Sequence, residues 1–466
     1  MSTENRAPSQ APSPVDAQPG RWRCPRIATR TMLGALLVML AGSAAAQERD
    51  RTTDCHIGIY QLRGGEDVDI GADDGDHLRW RRKDGTTGKL APTSDGRWAS
   101  TLGWTNRPDG KRVSFSDCGA GGITFDGMPG QRIALDVVDT TFQGAGTRLA
   151  GRLVMPKGNG RVPIVVLVHG SEHESARDFY ALQRQLPTEG IGVFVYDKRG
   201  TGASGGLYSQ NYLLLADDAI FAMREARRLA GERAGRMGYQ AGSQGGWVAP
   251  LAARIEPVDF VVVGFGLAVS PIEEDREAVA LDMTRQGYGP EVMAKAMKVA
   301  DATATIIRSG FRDGYDQLAA LRASYANEPW FKHVRGDISL FILDTPEAEL
   351  RQKGPPLLAG VPADYDPMPV LGNLDTQQLW ILGEDDSEAP SAVTAQHLRD
   401  LIGHGRPITL AVFPHAGHGI YEYETAANGE RVSTRNPEGY FKMMRDFIRD
   451  GRIEGSYGHS MVWRQP

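Results

Sequence analysis

From about residue 160 onward, short apolar runs alternate with turns rich in glycine and charge. Val162-Pro163-Ile164-Val165-Val166-Leu167-Val168 has hardly a polar side chain, the pattern of a strand buried on both faces of a parallel sheet. It stops at His169-Gly170-Ser171. Arg236-Met237-Gly238-Tyr239-Gln240 is a shorter strand-like run, and Gly246-Trp247-Val248-Ala249-Pro250-Leu251-Ala252-Ala253 after it has the small-residue composition of a helix packed on a sheet. Val258–Gly266, Gln377–Leu382 and Ile408–Phe413 read as later strands of the same sheet. Between the first and second strands of that late set lies a helical stretch from about Ile272 to Val334. Val292, Met293, Ala296, Val299, Ala300, Thr303 and Ile307 recur there at helical spacing and mark one apolar face. The fold class these patterns predict is α/β, a mostly parallel sheet flanked by helices, with a helical insertion over about 268–370.

The region 52–128 has a different rhythm. Ile57–Leu62, Leu78–Trp80, Trp98–Leu102 and Val113–Phe115 are short alternating runs split by glycine- and aspartate-rich turns, which predicts a small antiparallel β domain. Asp67, Asp69, Asp73, Asp74 and Asp76 do not have the spacing of a calcium loop and read as solvated turns. Trp80 and Trp98 fit the core of so small a sheet better than a sugar or lipid surface.

At the N-terminus Arg21, Arg23, Arg26 and Arg30 precede the apolar run Met32–Ala41, and Ala44-Ala45-Ala46 offers a small-residue cleavage site. Residues 1–46 therefore read as a secretory signal peptide with an N-terminal extension, cleaved near Ala46. The run is too short to span a bilayer and leaves no stable membrane anchor after cleavage. The expected location is periplasmic or secreted. Of three cysteines, Cys24 falls inside the signal, so Cys55 and Cys118 are the pair left in the mature chain. An oxidising compartment favours a disulfide between them over two free thiols. Net charge is −6 with Lys and Arg dispersed, which leaves no basic stripe for a nucleic-acid backbone. No H-E-x-x-H occurs and no G-x-G-x-x-G follows the first strand, so neither a metal nor a nucleotide cofactor is expected.

Chemistry concentrates at Ala241-Gly242-Ser243-Gln244-Gly245. A serine between small residues two places before and after it, set between a strand and a helix, meets the steric demand of a nucleophile elbow, here with alanine at the first glycine position. A serine hydroxyl needs a histidine to take its proton and an acid to orient that histidine. Gln377–Leu382 runs into Gly383-Glu384-Asp385-Asp386-Ser387-Glu388-Ala389-Pro390, and Ile408–Phe413 into Pro414-His415-Ala416-Gly417-His418-Gly419. Acids and histidines thus follow the serine in the order Ser, acid, His, with four acids and two histidines to choose from.

From about Gln131 to Ile453 the chain resembles an α/β-hydrolase, in particular the secreted EstD-type carboxylesterases and serine aminopeptidase-like hydrolases. Asp139–Phe142 with Leu149–Pro156 resembles that branch's opening hairpin, and Ile191–Ser204 its strand ending in a D-x-R-G-x-G-x-S turn. The resemblance implies a hydrolase domain over 131–466 whose insertion is a cap. It places the acid role on Asp386 through a G-x-x-D-x-x-x-P turn, and the base role on His418, which directly precedes a glycine; His415 then lies aside. It implies an oxyanion hole from the backbone N–H groups of Ser171 and Gln244, and Asp197 and Arg199 as an ion pair bracing the loops beneath the site. Where such chains continue with glycine after Ser171, this one has Glu172, His173 and Glu174, read as solvent-facing. Met283, Tyr288, Tyr325, Trp330 and Phe331 are candidates to line an acyl pocket, although core packing within the cap is favoured. The expected activity is hydrolysis of a small-molecule carboxylic ester. A peptidase or amidase would use the same triad, a thioesterase fits an exported chain poorly, and a wall- or lipid-binding protein with a vestigial triad is the non-catalytic alternative.

Overall fold

The computed structural model describes residues 51–358 and 360–465; the expected signal peptide and Cys24 lie outside them. Eight strands come first: β1 Gly58–Leu62, β2 Asp67–Ala72, β3 Leu78–Arg81, β4 Thr87–Pro92, β5 Trp98–Leu102, β6 Pro108–Phe115, β7 Gly122–Phe125 and β8 Met128–Arg132. Each pairs antiparallel with the next, and β1 pairs back onto β8 with Tyr60 opposite Arg132, so the sheet closes into a barrel. Closure leaves no unpaired strand edge. Sequence patterning reveals only half of these strands, because Asp67–Ala72, Thr87–Pro92 and the last two are interrupted by glycine, proline or charge. Tyr60, Val68, Ile70, Leu78, Trp80, Trp98 and Phe125 fill the interior, so both tryptophans are core residues. The aspartates are partnered: Asp67 with Lys83 at 2.6 Å, Asp73 with Arg79 at 2.9 Å and Asp74 with Lys89 at 2.5 Å. Cys55 and Cys118 are joined by a disulfide that closes 63 residues of chain around the barrel.

A nine-stranded sheet follows: β9 Asp136–Gln143, β10 Arg148–Met155, β11 Val162–Val168, β12 Gly192–Tyr196, β13 Ala234–Gly242, β14 Phe260–Gly264, β15 Gln377–Gly383, β16 Ile408–Phe413 and, after a separate hairpin, β20 Met461–Trp463. The spatial order is β20-β16-β15-β14-β13-β11-β12-β10-β9. The six central strands run parallel, while β9, β10 and β20 are antiparallel to their neighbours. Alternation explains the unbroken apolar runs. Ile164, Val166 and Val168 pack on one face with helices Tyr212–Ala230, Gly245–Ile255 and Ala392–Gly403, whereas Val165 and Leu167 pack on the other with Tyr440–Asp450. A strand covered on both faces can afford no polar side chain in its middle.

The insertion forms its own apolar cluster over the carboxyl ends of these strands. Its first helix, Pro271–Arg285, opens on a capping box in which Ser270 and Glu273 exchange hydrogen bonds, with proline at the first helical position. The single helical stretch expected to Val334 is instead broken into Pro271–Arg285, Pro290–Arg308 and Tyr315–Tyr325. Gly287, Gly310 and Gly314 adopt positive φ at the breaks, a conformation open to glycine at no steric cost. Buried Asp275 accepts hydrogen bonds from the Ser339 N–H (2.8 Å) and hydroxyl (2.6 Å) and ties the first helix to Asp337–Asp344.

The remaining strands, β17 Ala416–Gly417, β18 Tyr421–Thr425 and β19 Arg431–Arg435, form a hairpin that reaches the barrel. The Trp104 N–H donates to the Ser433 carbonyl at 2.9 Å, and Asn436 N–H to that of Gly85 at 3.0 Å. At Gly103 a Cβ would stand 2.4 Å from the Thr434 carbonyl oxygen, so only glycine lets the two backbones approach this closely. Asp69, buried on the barrel, receives Arg184, from the segment between β11 and β12, in a two-point ion pair at 2.5 and 3.1 Å.

Candidate active site

Ser243 stands between β13 and helix Gly245–Ile255 with φ of +50°, a left-handed conformation that costs a non-glycine residue of order 1 kcal/mol or more. Its surroundings impose it. A Cβ at Gly245 would meet the His169 carbonyl oxygen at 2.9 Å and the Ala241 methyl at 3.0 Å, and one at Gly242 the Phe265 ring at 2.5 Å. Ala241 thus uses the room that a glycine at its position would leave, and Gly245 can carry nothing further.

Three segments distant in sequence meet at this turn. His418 Nε2 lies 3.2 Å from Ser243 Oγ, and His418 Nδ1 lies 2.9 Å from Asp386 Oδ2. Buried Asp386 is itself fixed, its Oδ1 accepting the N–H groups of Glu388 (3.0 Å) and Ala389 (2.9 Å). The other acids of that turn point elsewhere. Asp385 accepts the Tyr423 hydroxyl at 2.7 Å, Glu384 is exposed, and Glu388 lies on the far side of the imidazole, 3.6 Å from Nε2. His415 is 89% exposed and lies 3.7 Å from Asp385. The Phe265 ring meets the His418 imidazole edge to face at 4.9 Å and limits its rotation.

Ser171 and Gln244 both border the cleft above Ser243. Among the described residues neither backbone N–H donates to a protein acceptor, so both are available to an incoming oxygen. The Ser171 loop is held from below: the buried His169 imidazole donates to the Tyr196 carbonyl, and the Tyr208 hydroxyl donates to that of Ser171 at 2.6 Å. Lys198 adds a contact that sequence reasoning missed. Its buried Nζ donates to the Gly170 carbonyl and to Gln244 Oε1, both at 2.9 Å, and so links the two halves of the loop pair. Burial lowers its pKa to about 8. Its place between Asp197 and Arg199 at the carboxyl end of a buried strand was the available signal.

Asp197 and Arg199 do not pair with each other. Asp197 accepts from the Ser175 hydroxyl (2.7 Å) and from the backbone N–H groups of Arg177 and Ala203, whereas Arg199 forms a two-point pair with Asp218 at 2.7 and 2.8 Å. Side chains two apart on an extended segment share a side, but the turn after β12 sends these two to different loops. Glu172 also departs from expectation, for it turns inward and accepts the Tyr180 hydroxyl; His173 stacks on Tyr208 at 3.8 Å, and Glu174 is exposed.

The cleft measures about 760 Å³, its open mouth included. Tyr212, Trp247, Leu267, Ile307, Ile338 and Val361 supply its apolar wall, and Glu274, Asp337 and Glu388 face into it. Of the apolar cap residues singled out from sequence, only Ile307 reaches the cleft. Met283, Tyr288, Tyr325, Trp330 and Phe331 belong to the cap's own core, where packing five short helices together consumes the large side chains. Acids and histidine shift one another here. Burial alone would lower the pKa of His418, but Asp386 and then Glu388 and Asp337 outweigh it and raise it to about 9. Burial, then Glu388 and Asp275, raises Asp337 to about 7.

No protein-family model matches the chain, and no curated protein matches it. Among solved structures it is similar to an esterase of Pyrococcus furiosus (16% identity over 61% of this chain and 84% of that one, TM-score 0.39). It is also similar to the acylaminoacyl peptidase of Pyrococcus horikoshii (14%, 83% and 57%, TM-score 0.42) and to an acetyl xylan esterase from Paenibacillus sp. R4 (17%, 61% and 79%, TM-score 0.36). The sheet order itself, with an antiparallel second strand, the exchanged third and fourth strands, and a tight turn bearing Ser243 after the fifth, gives this chain the α/β-hydrolase fold.

Proposed function

We propose that the protein is a serine hydrolase that cleaves carboxylic esters through Ser243, His418 and Asp386. The observation that carries this reading is the unbroken relay from Ser243 Oγ through the imidazole to Asp386, at 3.2 and 2.9 Å, in the floor of a cleft. Neutral His418 takes the Ser243 proton as the hydroxyl oxygen attacks the ester carbonyl. Asp386, acceptor-only and buried, holds Nδ1–H and stabilises the imidazolium. The N–H groups of Ser171 and Gln244 receive the oxyanion, a pair of backbone donors that needs no reorientation as charge develops. His418 returns the proton to the departing alcohol, and water repeats the sequence on the acyl-enzyme.

The cap closes over this chemistry and limits the substrate to what a cleft of small-molecule size admits. The disulfide between Cys55 and Cys118 and the absence, among the described residues, of a helix long and apolar enough to cross a membrane agree with export to the periplasm or medium.

The decisive measurement uses mature protein on p-nitrophenyl esters of increasing acyl length beside aminoacyl anilides, with Ser243→Ala as control. Esters turned over and silenced by Ser243→Ala are the expected result. Full activity in Ser243→Ala would overturn the reading, and anilides cleaved far better than any ester would replace it with a peptidase.

A further inference from the structure

Glu274, Asp337 and Glu388 come from the first cap helix, the start of helix Asp337–Asp344 and the loop after β15, yet all three border the cleft that holds Ser243 and His418. Among the described residues no lysine or arginine borders it. Among the described residues neither the Glu274 nor the Asp337 carboxylate has a hydrogen-bond or ion-pair partner, and the nearest charged group to Glu388 is His418 at 3.6 Å. Elsewhere the molecule treats buried acids differently: Asp69 has Arg184, Asp218 has Arg199, and Asp275 has Ser339. Three carboxyl groups whose one neighbouring cation is His418 are costly to ionise together in an enclosed site, and they stand where a substrate must lie.

Resting on the ester-hydrolase reading above, we infer that the cleft takes esters whose acyl or alcohol portion carries an organic ammonium ion, bound by Glu274, Asp337 and Glu388.

The shape of the cluster selects the kind of cation. Among the described residues only Cys55, His56 and Cys118 bring three potential metal-binding atoms within 4.8 Å of one another, and those cysteines are already bonded together. The three cleft carboxylates are spread more widely than a metal ion requires. A methylated or primary ammonium group is larger and asks for a diffuse negative wall with apolar and aromatic surface beside it. Ile307, Ile338, Val361 and Trp247 provide that surface. Burial first, and then the neighbouring carboxylates, raise the pKa values of Glu274 and Asp337, while burial followed by Asp386 raises Glu388 against the pull of His418. A bound cation relieves the repulsion among them and draws protons off the wall.

Two matched ester pairs test the inference. In one, p-nitrophenyl γ-trimethylammoniobutyrate is compared with the analogue in which carbon replaces the quaternary nitrogen; in the other, butyrylthiocholine with its tert-butyl counterpart. The cationic member of at least one pair should have a kcat/KM about tenfold or more above its isostere, and Glu274→Gln with Asp337→Asn should bring that ratio close to one. Neutral members cleaved as fast as the cationic ones in both pairs, or a preference that survives the double substitution, would overturn it. Calorimetry with Ser243→Ala separates this failure from failure of the ester reading. Choline should bind and its tert-butyl counterpart should not, whatever the catalytic outcome; equal binding of the two, or no binding of choline, sinks the cation site by itself.

Discussion

The ring of Trp104 in the barrel lies 4.4 Å from the ring of Tyr421, the first residue of the strand that follows His418. Trp104 also carries the Arg79 guanidinium 4.3 Å from its ring centre, and Arg79 is anchored by Asp73 and the Gly103 carbonyl. The barrel is therefore joined to the rest of the chain at the loop that carries His418. Among the described residues the barrel contributes no side chain to the cleft, so any influence it has on the site runs through the placement of this loop.

Trp104→Ala should lower kcat by about ten- to a hundredfold, because a small displacement of His418 from Ser243 is expensive in rate. KM should change less, since no cleft residue is removed. Steady-state kinetics together with the melting temperature would check this, and a fall in stability with kcat intact would show that the barrel does not position the base.

Proton affinity at His418 sets the pH profile. Only neutral imidazole accepts the serine proton, and Asp386, Glu388 and Asp337 hold the protonated form up to about pH 9 against the opposing effect of burial. For a neutral ester kcat/KM should therefore climb through neutral pH with its midpoint near 9 and level off only above that. Glu388→Gln removes one of the groups that raises it, so the midpoint should move to lower pH and activity at pH 7 should rise. A midpoint that stays in place on substitution would contradict the coupling.

Lys198 bridges the Gly170 carbonyl and the Gln244 side chain. Lys198→Met keeps volume and removes the bridge, and should reduce kcat by about a hundredfold, the scale on which one misplaced oxyanion donor is felt. The same variant leaves two acceptors unpaired and should unfold at lower denaturant concentration. Comparison of kcat with KM distinguishes loss of the hole from loss of substrate binding, which would appear in KM alone.

Replacing Cys55 and Cys118 together by alanine frees a loop spanning 63 residues in the unfolded chain. Chain entropy assigns such a crosslink about 4 kcal/mol, so chemical denaturation should shift by this order, with little effect on kcat while the protein stays folded. An unchanged midpoint would mean that the barrel's closed sheet holds without the crosslink.

What the sequence determined by itself was whatever local sterics and burial dictate. Val162–Val168 announces a strand covered on both faces and Val258–Gly266 a later strand of the same sheet, and Ala241, Gly242 and Gly245 announce a turn too tight for side chains, which is why Ser243 and its elbow were legible. The order of serine, acid and histidine followed from chain direction. Tertiary structure decided what depends on where distant segments meet. It chose Asp386 among four neighbouring acids by setting one oxygen against His418 Nδ1, separated Asp197 from Arg199, closed half-visible strands into a barrel, and gathered Glu274, Asp337 and Glu388 around one cleft. Each of those outcomes rests on the register of elements far apart in the chain, and a charged side chain in sequence carries no mark of whether its partner is a cation, a carbonyl or a substrate.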